Sequence, residues 1–343
     1  MTDTRRNLTL EEIGELAGVS RSTVSRVLNA HPHVRPEVRT RVEEVIQETG
    51  YLPNQAARAL VSNRTGLIGL VMPTDVDELF GDPYYSALVH GIQEGCTETG
   101  SILSIFPVYG EHGQAVVLST LLAQGFVDGV IVTAGPRSDR LISVLRDRGK
   151  RLVVVGHPAD DGGLVRVDVE NRAGTATAVA HLIGLGRDRI GYIGPTDEYI
   201  FGVERLQGYH DAMRAAGRKV DTRLVRLDEP TSAGGFGGAE ALLAARPDAV
   251  HVATDTMAEG VLSAFARHGV QVPTDVAVVG FDGLPRAPHT VPVLTTIIQP
   301  ATDVGRTAVH LLRDDNTTPG AVVLPTSLRI GESCGAARPH RSA

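Results

Sequence analysis

The chain of 343 residues is longer than one ordinary domain, and its 42% apolar content suits more than one packed core. A net charge of −7 disfavours nucleic-acid binding over the whole surface, and no uncharged apolar run reaches the ~20 residues that cross a bilayer. The opening residues contain no apolar run typical of a signal peptide, so we expect a cytoplasmic protein with no membrane partner. Cys96 and Cys334 fit no metal spacing and are expected to be buried in a reducing compartment, although a disulfide between them is an alternative.

The charge is distributed unevenly along the chain. Nine arginines and eight acidic residues give residues 1–64 a net charge of +1, whereas the remainder carries −8. The first segment is therefore less acidic than the rest but not strongly basic. If this segment binds DNA, individual arginines have to supply the contacts, because there is no bulk positive field.

Residues 9–29 predict two short helices joined by a tight turn. Thr9 and Glu12 have the spacing of a capping box at the start of the first helix. Gly18 stands where a left-handed residue ends that helix, and Ser20 can cap the second. The apolar residues at helical spacing are Ile13, Leu16, Ala17, Val24, Val27 and Leu28. Such a pair with an arginine- and serine-bearing outer face is typical of a helix-turn-helix, whose second helix fits the major groove of DNA.

Two further helical segments follow this pair. Pro36 is favourable at the first position of a third helix, which is predicted to end at Gly50. Residues 55–60 predict about one and a half turns of helix, which is too short to be stable alone in water.

From residue 67 onward, short apolar strands alternate with helices. The predicted strands are LIGLVM, ILSIF, GVIVTA, RLVVVG, LVRVD, RIGYIG, DAVHVAT and VAVVGF. The predicted helices lie at residues 85–98, 115–124, 172–184, 205–216, 235–244 and 256–267. Such alternation indicates parallel sheets covered on both faces, and the number of units favours two similar lobes. The predicted fold class is therefore α/β, with an N-terminal helix-turn-helix head and a two-lobed body. Ligands of such folds bind at the carboxyl ends of strands, here in the cleft between the lobes.

The body contains no convincing catalytic motif. A GxGxxG after a strand, GxxxxGK[ST], HExxH and GxSxG are all missing, and the twelve histidines are scattered. His157 and His251 follow or lie in apolar strands and are interpreted as structural. The missing motifs disfavour an enzyme of sugar metabolism and favour a sensor. We therefore expect that the protein is not an enzyme and that it has no cofactor and no metal site.

Polar and aromatic side chains at the predicted strand ends form a candidate ligand site. These are Asp75, Tyr84, Tyr85, Asn171, Arg205, Thr254, Asp255, Phe281, Asp282 and Gln299, with Asp82 and Asp168 in the same segments. Carboxylates, amides and arginine can each bind two neighbouring hydroxyls, and aromatic rings cover the apolar face of a sugar. Structural alternatives exist for several of them. Asp255 and Asp282 can cap the helices that follow, Tyr84 and Tyr85 can be core residues, and Arg205 can form a salt bridge.

The sequence AGVSRSTVSRVLN, followed by a third helix and then GYLPNQAARAL, resembles the DNA-binding head of the lactose-repressor (LacI/GalR) family. The resemblance spans nearly the whole chain. It implies a sequence-specific, DNA-binding transcriptional regulator, whose body has the periplasmic-binding-protein fold and crosses between lobes near residues 162–165, 288–293 and 322–326. The expected domains are a head at 1–50, a hinge at 51–65, an N-lobe at 66–164 and 292–324, a C-lobe at 165–291 and 325–334, and a flexible tail at 335–343.

The same resemblance implies which residues contact DNA. Base contacts are expected from Arg21, Ser22 and Arg26, since a bidentate arginine–guanine pair discriminates by roughly 1–3 kcal/mol. Backbone contacts are expected from Thr9, Ser20, Thr23, Ser25 and Asn29. In the minor groove we expect Asn54, Ala57 and Leu60, where Leu60 resembles an apolar wedge that bends the duplex. The implied partner is double-stranded DNA, a pseudo-palindromic operator of roughly 14–20 base pairs with a central CG step, bound by a homodimer.

Several candidate ligand residues match family motifs. Arg205 lies in an RxxG[YFW] context, Asp282 in VVGFD and Gln299 in LTTIxQ, while Thr254 stands where many relatives carry asparagine. The chain has no tryptophan, which some sugar-responsive relatives use, so Tyr84 or Phe236 is a candidate replacement. The implied effector is a sugar or a sugar derivative, with a nucleobase or nucleoside as the alternative. A carbohydrate-binding transport protein is the alternative from another class, and it would require export.

Overall fold

The computed structural model describes residues 8–28, 31–51, 64–74, 76–108, 110–123, 126–137, 140–160, 162–285 and 287–336. The chain divides into two compact units, Met1–Thr65 and Gly66–Ala343. The predictions at Asn29, Asn54, Ala57, Leu60 and Asp75 lie outside the described residues, as do residues 337–343 of the predicted tail.

The first unit contains the predicted helix-turn-helix. Its described helices are α1 (Leu10–Ala17), α2 (Arg21–Leu28) and α3 (Pro36–Thr49). The capping box at the start of α1 is confirmed, because Thr9 N–H donates to the Glu12 carboxylate at 2.7 Å and Glu12 N–H donates to the Thr9 hydroxyl at 3.3 Å. Gly18 ends α1 with a left-handed φ of 64°. A Cβ added to Gly14 would lie 2.8 Å from the Val19 carbonyl oxygen, so the close turn between α1 and α2 requires glycine there.

The core of this unit is small and apolar. Its buried members are Ile13, Ala17, Val24, Val27, Val42 and Tyr51. Leu16, which we predicted on the buried face of α1, is instead 59% exposed. Each residue turns a helix by about 100°, so Leu16 lies on the opposite side from the buried Gly14. The first residue before α3, Arg35, makes no side-chain cap hydrogen bond.

The second unit alternates strands and helices through its whole length. Its first half contains β1 (Leu67–Met72), α4 (Val76–Gly81), α5 (Pro83–Glu98), β2 (Ile102–Pro107), α6 (Gly110–Leu122), β3 (Gly129–Thr133), α7 (Leu141–Asp147), β4 (Leu152–Val155) and β5 (Val165–Val169). It continues with α8 (Asn171–Gly184), β6 (Ile190–Pro195), α9 (Ile200–Ala215), β7 (Val225–Asp228), α10 (Ser232–Leu243), β8 (Ala249–Val252), α11 (Asp255–Arg267), β9 (Ala277–Asp282), β10 (Thr295–Ile298), α12 (Ala301–Arg313), β11 (Gly320–Leu324) and β12 (Ser327–Arg329).

The strands form two six-stranded sheets, which confirms the predicted two-lobed α/β fold. The first sheet has the order β11-β5-β4-β3-β1-β2 and defines the N-lobe; the second has the order β12-β10-β9-β8-β6-β7 and defines the C-lobe. Their strands are parallel, except that β12 runs antiparallel to β10. Ile131 and Val132 are consecutive in β3 but belong to different apolar clusters, so the N-lobe sheet has a core on each face.

The chain passes between the lobes at three places, two of which differ from the expected positions. β5 pairs with β4 and β11, so residues 165–169 belong to the N-lobe and the first crossing follows Val169. β10 pairs with β9 and β12, so the second crossing lies between Ile298 and Ala301. The third lies between β11 and β12. An apolar run predicts a strand equally well in either lobe. Only the pairing of that strand with strands distant in the sequence decides to which sheet it belongs.

Both cysteines are buried and free. Cys96 lies in an N-lobe core and Cys334 in a C-lobe core. Among the described helices, none is both long and apolar enough to cross a membrane.

Candidate nucleic-acid interface and interlobe cleft

The helix α2 presents one polar and one apolar face. Arg21, Ser22 and Arg26, the three predicted base-contacting residues, are exposed, whereas Val24 and Val27 are buried against the other helices. Burial of the apolar face fixes the orientation of the helix in its unit. The polar face is therefore available for the edges of base pairs.

Neighbouring polar groups position the first turn of α2. The Ser20 hydroxyl lies 2.8 Å from the Ser22 hydroxyl and 2.9 Å from that of Thr23, and it accepts from the Thr23 N–H at 3.3 Å. Arg21 pairs with Glu11 of α1 at 3.2 Å, and both side chains are largely exposed. A surface ion pair of this kind contributes only about 0–1 kcal/mol, so Arg21 can exchange Glu11 for a nucleotide at little cost.

The carboxyl ends of both sheets line one cleft between the lobes, with a cavity volume of about 180 Å³. The structure brings together seven of the predicted ligand residues there: Tyr84, Tyr85, Asn171, Arg205, Thr254, Asp282 and Gln299. Parallel strands end at the same edge of a sheet, which is why residues far apart in the chain meet at this place.

Arg205 lies at the base of the cleft and is almost completely buried. Its Nε donates to the side-chain oxygen Oδ1 of Asn171 at 2.9 Å, and its Nη1 donates to the Ala253 backbone carbonyl at 2.5 Å and to Asp282 Oδ1 at 3.1 Å. The guanidinium carbon lies 3.6 Å from the centre of the Phe281 ring. These contacts hold the arginine in one orientation, because every partner is itself part of a strand end or a helix start.

Asp282 connects the arginine to the second crossing of the chain. Its Oδ1 also accepts from the Gln299 amide at 2.7 Å, and its Oδ2 accepts from the Asp255 N–H at 3.3 Å. Burial raises the pKa of Asp282 to about 6, although the Arg205 charge opposes the shift. The residue has a φ of 120°, a strained conformation for a side chain larger than glycine, and such strain is concentrated at functional sites.

Two predicted ligand residues do not line the cleft. Asp255 points its carboxylate away, where it accepts from the Leu284 N–H at 2.9 Å and the Thr296 hydroxyl at 2.6 Å. It therefore ties the start of α11 to β10, which corrects the expectation of a ligand contact. Phe281 is fully buried beneath the Arg205 guanidinium and supports that group from behind. A side chain at a strand end faces either the cleft or the core, and sequence position alone does not decide which.

A polar cluster at one side of the cleft was not anticipated. Asn171 donates to Asp168 and to Glu204, each at 3.1 Å, and a hydrogen bond of 2.8 Å joins His157 to Glu204. His157, interpreted from the sequence as structural, instead lines the cleft. His251 is buried in the C-lobe core, and its Nδ1 lies 3.1 Å from the Val279 carbonyl oxygen.

The same cluster contains the only described residues grouped closely enough to hold a metal ion. His157, Asp168 and Glu204 place one potential ligand atom each within 4.8 Å of one another. Each of them already has a hydrogen-bond partner, and Asp168 also accepts from Arg166 at 3.0 Å. An ion would have to displace these contacts, so the arrangement is better suited to holding the two lobes together.

Aromatic rings complete the lining. The rings of Tyr84 and Tyr85 pack edge to face with their centroids 5.6 Å apart. Tyr199 and Phe201 line the cleft from the opposite lobe. Phe236, the other candidate replacement for a tryptophan, is not among the lining residues. Burial raises the pKa of Tyr84, so its phenol is a neutral donor.

Thr133 at the end of β3 was missed by the sequence analysis. It lines the cleft and is 5% exposed, and its hydroxyl has no hydrogen-bond partner among the described residues. A buried polar atom without a partner costs about 1–3 kcal/mol. A strand-end threonine carries no motif, so only the structure could single it out.

The lobes also touch along the rim of the cleft. The Arg137 Nε donates to the Asp197 carbonyl at 2.6 Å, and the Thr256 hydroxyl donates to Asp82 at 3.3 Å. Together with the bond between His157 and Glu204, these contacts favour a closed arrangement of the lobes. A helix-turn-helix in one unit and a polar cleft between the lobes of the other are together typical of a transcriptional regulator with a ligand-binding body.

Comparison with known proteins gives the same class. Residues 9–54 match the bacterial regulatory proteins of the lacI family, and residues 179–334 match the periplasmic binding protein-like domain. The chain is 38% identical to the HTH-type transcriptional regulator CelR of Thermobifida fusca over 96% of this chain and 99% of the relative. The chain belongs to the LacI family of transcriptional regulators.

Two solved structures resemble the fold closely. A complex of the transcriptional regulator CelR with cellobiose has a TM-score of 0.76 and 35% identity, covering 95% of this chain and 99% of that chain. The lac repressor dimer bound to operator and the anti-inducer ONPF has a TM-score of 0.81 and 26% identity, covering 96% of this chain and 100% of that one.

Proposed function

We propose that this LacI-family regulator is a repressor whose affinity for operator DNA is controlled by a sugar or sugar derivative bound between the lobes. The single observation that carries the proposal is the buried Arg205, held between Asp282 and Asn171 at the base of an aromatic-lined cleft. Carboxylate, amide and guanidinium groups suit vicinal hydroxyls, and the cellobiose complex of a similar regulator supports a sugar.

The head is proposed to contact DNA through the exposed face of α2. Arg21, Ser22 and Arg26 contact bases, while Thr9, Ser20, Thr23, Ser25 and Asn29 contact the backbone. Asn54, Ala57 and Leu60 of the hinge enter the minor groove. The operator is a pseudo-palindrome with a central CG step, and the protein binds it as a homodimer, an assembly that the lac repressor dimer supports.

The first experiment is a gel shift with the full-length protein on symmetric duplexes and on random duplex of the same length. We expect preference for one family of symmetric sites at moderate ionic strength. Equal binding to all duplexes would reject sequence-specific regulation. In a parallel assay, Leu60→Gly is expected to reduce the bending of the bound duplex, and unchanged bending would remove the wedge.

The second experiment identifies the effector class. Monosaccharides, disaccharides, purines and nucleosides are added to the full-length protein, and the melting temperature is recorded. We expect a sugar to raise it and to change the gel shift. Tyr84 and Tyr85 also suit a flat ring, so a shift by a purine alone would replace the sugar with a nucleobase or nucleoside. No catalytic role is proposed for the cleft.

A further inference from the structure

The chain enters the second unit at Gly66, directly after the expected hinge, and both backbone groups of this residue are held. The Gly66 N–H donates to Asp128 Oδ2 at 3.0 Å, and the Gly66 carbonyl accepts from the Ile102 N–H at 2.8 Å. The Asp128 N–H donates to the Leu67 carbonyl at 2.8 Å. The first residue of this unit is therefore fixed by a side chain that lies 62 positions further along the chain.

The carboxylate of Asp128 is itself held by an arginine. Arg313 Nη1 donates at 2.8 Å to Asp128 Oδ2, the same oxygen that accepts from Gly66. Arg313 Nε and Nη2 donate to the Ser101 hydroxyl at 2.9 and 2.7 Å. The side chains of Arg313 and Asp128 are both largely shielded from water, so this pair fixes orientation better than a surface ion pair does. Ser101, Asp128 and Arg313 are called the anchor cluster.

Two helices that begin at the cleft end at the anchor cluster. The helix α5 begins directly after Asp82 and is followed by Ser101, whereas α12 begins two residues after Gln299 and ends with Arg313. Asp82 and Gln299 line the cleft, and each helix is roughly 20–24 Å long. In a parallel α/β lobe the helices run from the carboxyl ends of the strands back to their amino ends. Both helices therefore connect the cleft to the end of the sheet at which β1 begins.

The contact between α5 and α12 is so close that we expect the two helices to move as one body. A Cβ on Gly95 would lie 2.9 Å from the Val309 Cβ, and a Cβ on Gly91 would overlap the Thr302 carbonyl oxygen. Glycine is required at these positions because the helices touch through their backbones. A contact without free space transmits a displacement instead of absorbing it.

Resting on the proposed control of operator binding, we propose that the anchor cluster positions the start of the linker for operator binding and that α5 and α12 connect it to the cleft. Asp128 is the positioning residue, because it binds Gly66 directly. Arg313 and Ser101 orient the Asp128 carboxylate. A displacement of the cleft ends of the two helices then moves Gly66, the residue at which the linker joins the body.

Two substitutions of Asp128 separate its hydrogen bonds from its charge. Alanine removes the acceptor for Gly66 and Arg313, whereas asparagine keeps an oxygen that can accept from both. In gel shifts with the full-length protein, Asp128→Ala should bind the preferred symmetric duplex about tenfold more weakly than the wild type. Asp128→Asn should bind within about threefold of the wild type. Both variants should bind random duplex like the wild type, because that binding depends on phosphate contacts.

Arg151 and Asp315 form a matched control pair in the same lobe. Their side chains are joined at 2.5 Å, and Asp315 lies two residues after the end of α12. Asp315→Ala should therefore leave operator affinity unchanged. Exchange of the Gly66 amide should be about tenfold faster in Asp128→Ala and near the wild-type rate in Asp128→Asn, with amides of the cleft strands unaffected in both.

A further pair of variants applies if Asp128→Ala does not fold. Arg313→Gln keeps the Asp128 carboxylate but removes the cation that orients it, so operator binding should weaken about threefold relative to Arg151→Gln. Equal affinity of these two variants would overturn the role of Arg313 in the anchor cluster.

A double-mutant cycle tests the connection to the cleft. Gln299→Ala removes the amide that donates to Asp282 at 2.7 Å, just before α12 begins. Substitutions at sites without a shared partner normally act independently. Because the helices connect the two sites, we expect the operator affinity of the variant with both Gln299→Ala and Asp128→Ala to differ about threefold or more from the product of the single effects.

The outcomes separate this inference from the proposed function. Operator binding by Asp128→Ala as tight as that of the wild type overturns the anchor. Equal weakening by alanine and asparagine overturns positioning through the hydrogen bond to Gly66. Additive effects in the cycle overturn the connection to the cleft. If the wild-type protein itself shows no preference for a symmetric duplex, it is the proposed regulator function that fails.

Discussion

The helix α2 and the interlobe cleft are built in opposite ways. The polar residues of α2 come from one stretch of sequence, are exposed or half-buried, and make mostly short-range contacts such as that of Thr23 with Ser20 just before the helix. The cleft residues come from many separate strand ends, are largely buried, and bind one another, as Arg205 does with Asp282. The side chains of α2 are open to solvent and are not held by the rest of the fold. The side chains of the cleft are already held in one orientation before a ligand binds.

This difference predicts how each region responds to substitution. An exposed side chain contributes to binding and little to stability, so its removal should change affinity alone. A buried and paired side chain contributes to both, because its removal leaves partners unsatisfied. The two regions can therefore be tested by measuring stability and binding on the same variants.

The largest effect is expected from Arg205→Ala in the cleft. The change leaves Asp282 and Asn171 buried without their guanidinium, so the free energy of unfolding of the second unit should fall by about 3–5 kcal/mol. The response of operator binding to an effector should also be lost. Urea unfolding and gel shifts with the effector measure the two consequences.

The control is Arg214→Ala on the same helix, α9. Its side chain is 76% exposed and pairs with Asp211 at 3.1 Å. An exposed pair contributes about 0–1 kcal/mol, so both stability and response should be almost unchanged. If both variants lose the same unfolding free energy and the same effector response, the effect comes from any substitution in α9. The pairing of Arg205 with Asp282 would then not be its cause.

The second effect tests the exposed region. Arg21→Ala should weaken binding to the preferred operator by roughly 1–3 kcal/mol and relax the preference at one base pair per half-site. The unfolding free energy should not change. Glu11→Gln is the control, because it removes the partner of Arg21 but keeps the arginine. Uniform weakening on every sequence would show that Arg21 contacts phosphates.

The same contrast explains how far the sequence could predict the structure. The capping box of Thr9 and Glu12 and the turn at Gly18 are local patterns, and the structure confirms both. The contact of His157 with Glu204 depends on how two lobes meet, and no local pattern encodes it.

The body shows the limits of local patterns in another way. Eight of the strands were predicted, but β7, β10, β11 and β12 were not. Strands β7 (VRLD) and β12 (SLR) contain no continuous apolar run, whereas β11 (GAVVL) is an apolar run that was overlooked. The helix α12 was also missed, although its buried residues Val304, Ala308 and Leu312 repeat at helical spacing.

The third effect is the pH dependence of the unfolding free energy that arises from Asp282 in the cleft. The pKa of Asp282 is about 6 in the folded protein, against an ordinary value of 3.8. Between these values the folded state holds more protons than the unfolded state, so this group makes the protein less stable as pH rises. Relative to Asp282→Asn, the wild-type protein should lose about 2 kcal/mol of unfolding free energy between pH 4.5 and 7.

Urea unfolding of the wild type and Asp282→Asn at several pH values measures this difference. Asp168 and Asp255 also have raised pKa values, because they are buried, and they remain in both proteins. The contribution of Asp168 cancels when the two profiles are subtracted, whereas the Asp282 charge itself raises the pKa of Asp255, so the difference reports the titration of the Asp255–Asp282 pair. Parallel profiles would show that the Asp282 carboxylate titrates like an exposed one.

The smallest effect concerns the cap of α1 in the head. Thr9→Ala removes the hydroxyl that accepts from the Glu12 N–H at 3.3 Å, and the loss of such a cap costs about 1 kcal/mol. Hydrogen exchange of α1 amides in the full-length protein should become about fivefold faster, while amides of the cleft strands should be unaffected. Thr9→Ser retains the hydroxyl and should exchange like the wild type. If serine and alanine behave alike, the hydroxyl does not stabilise α1, and the helix is held only by its apolar contacts with the rest of the unit.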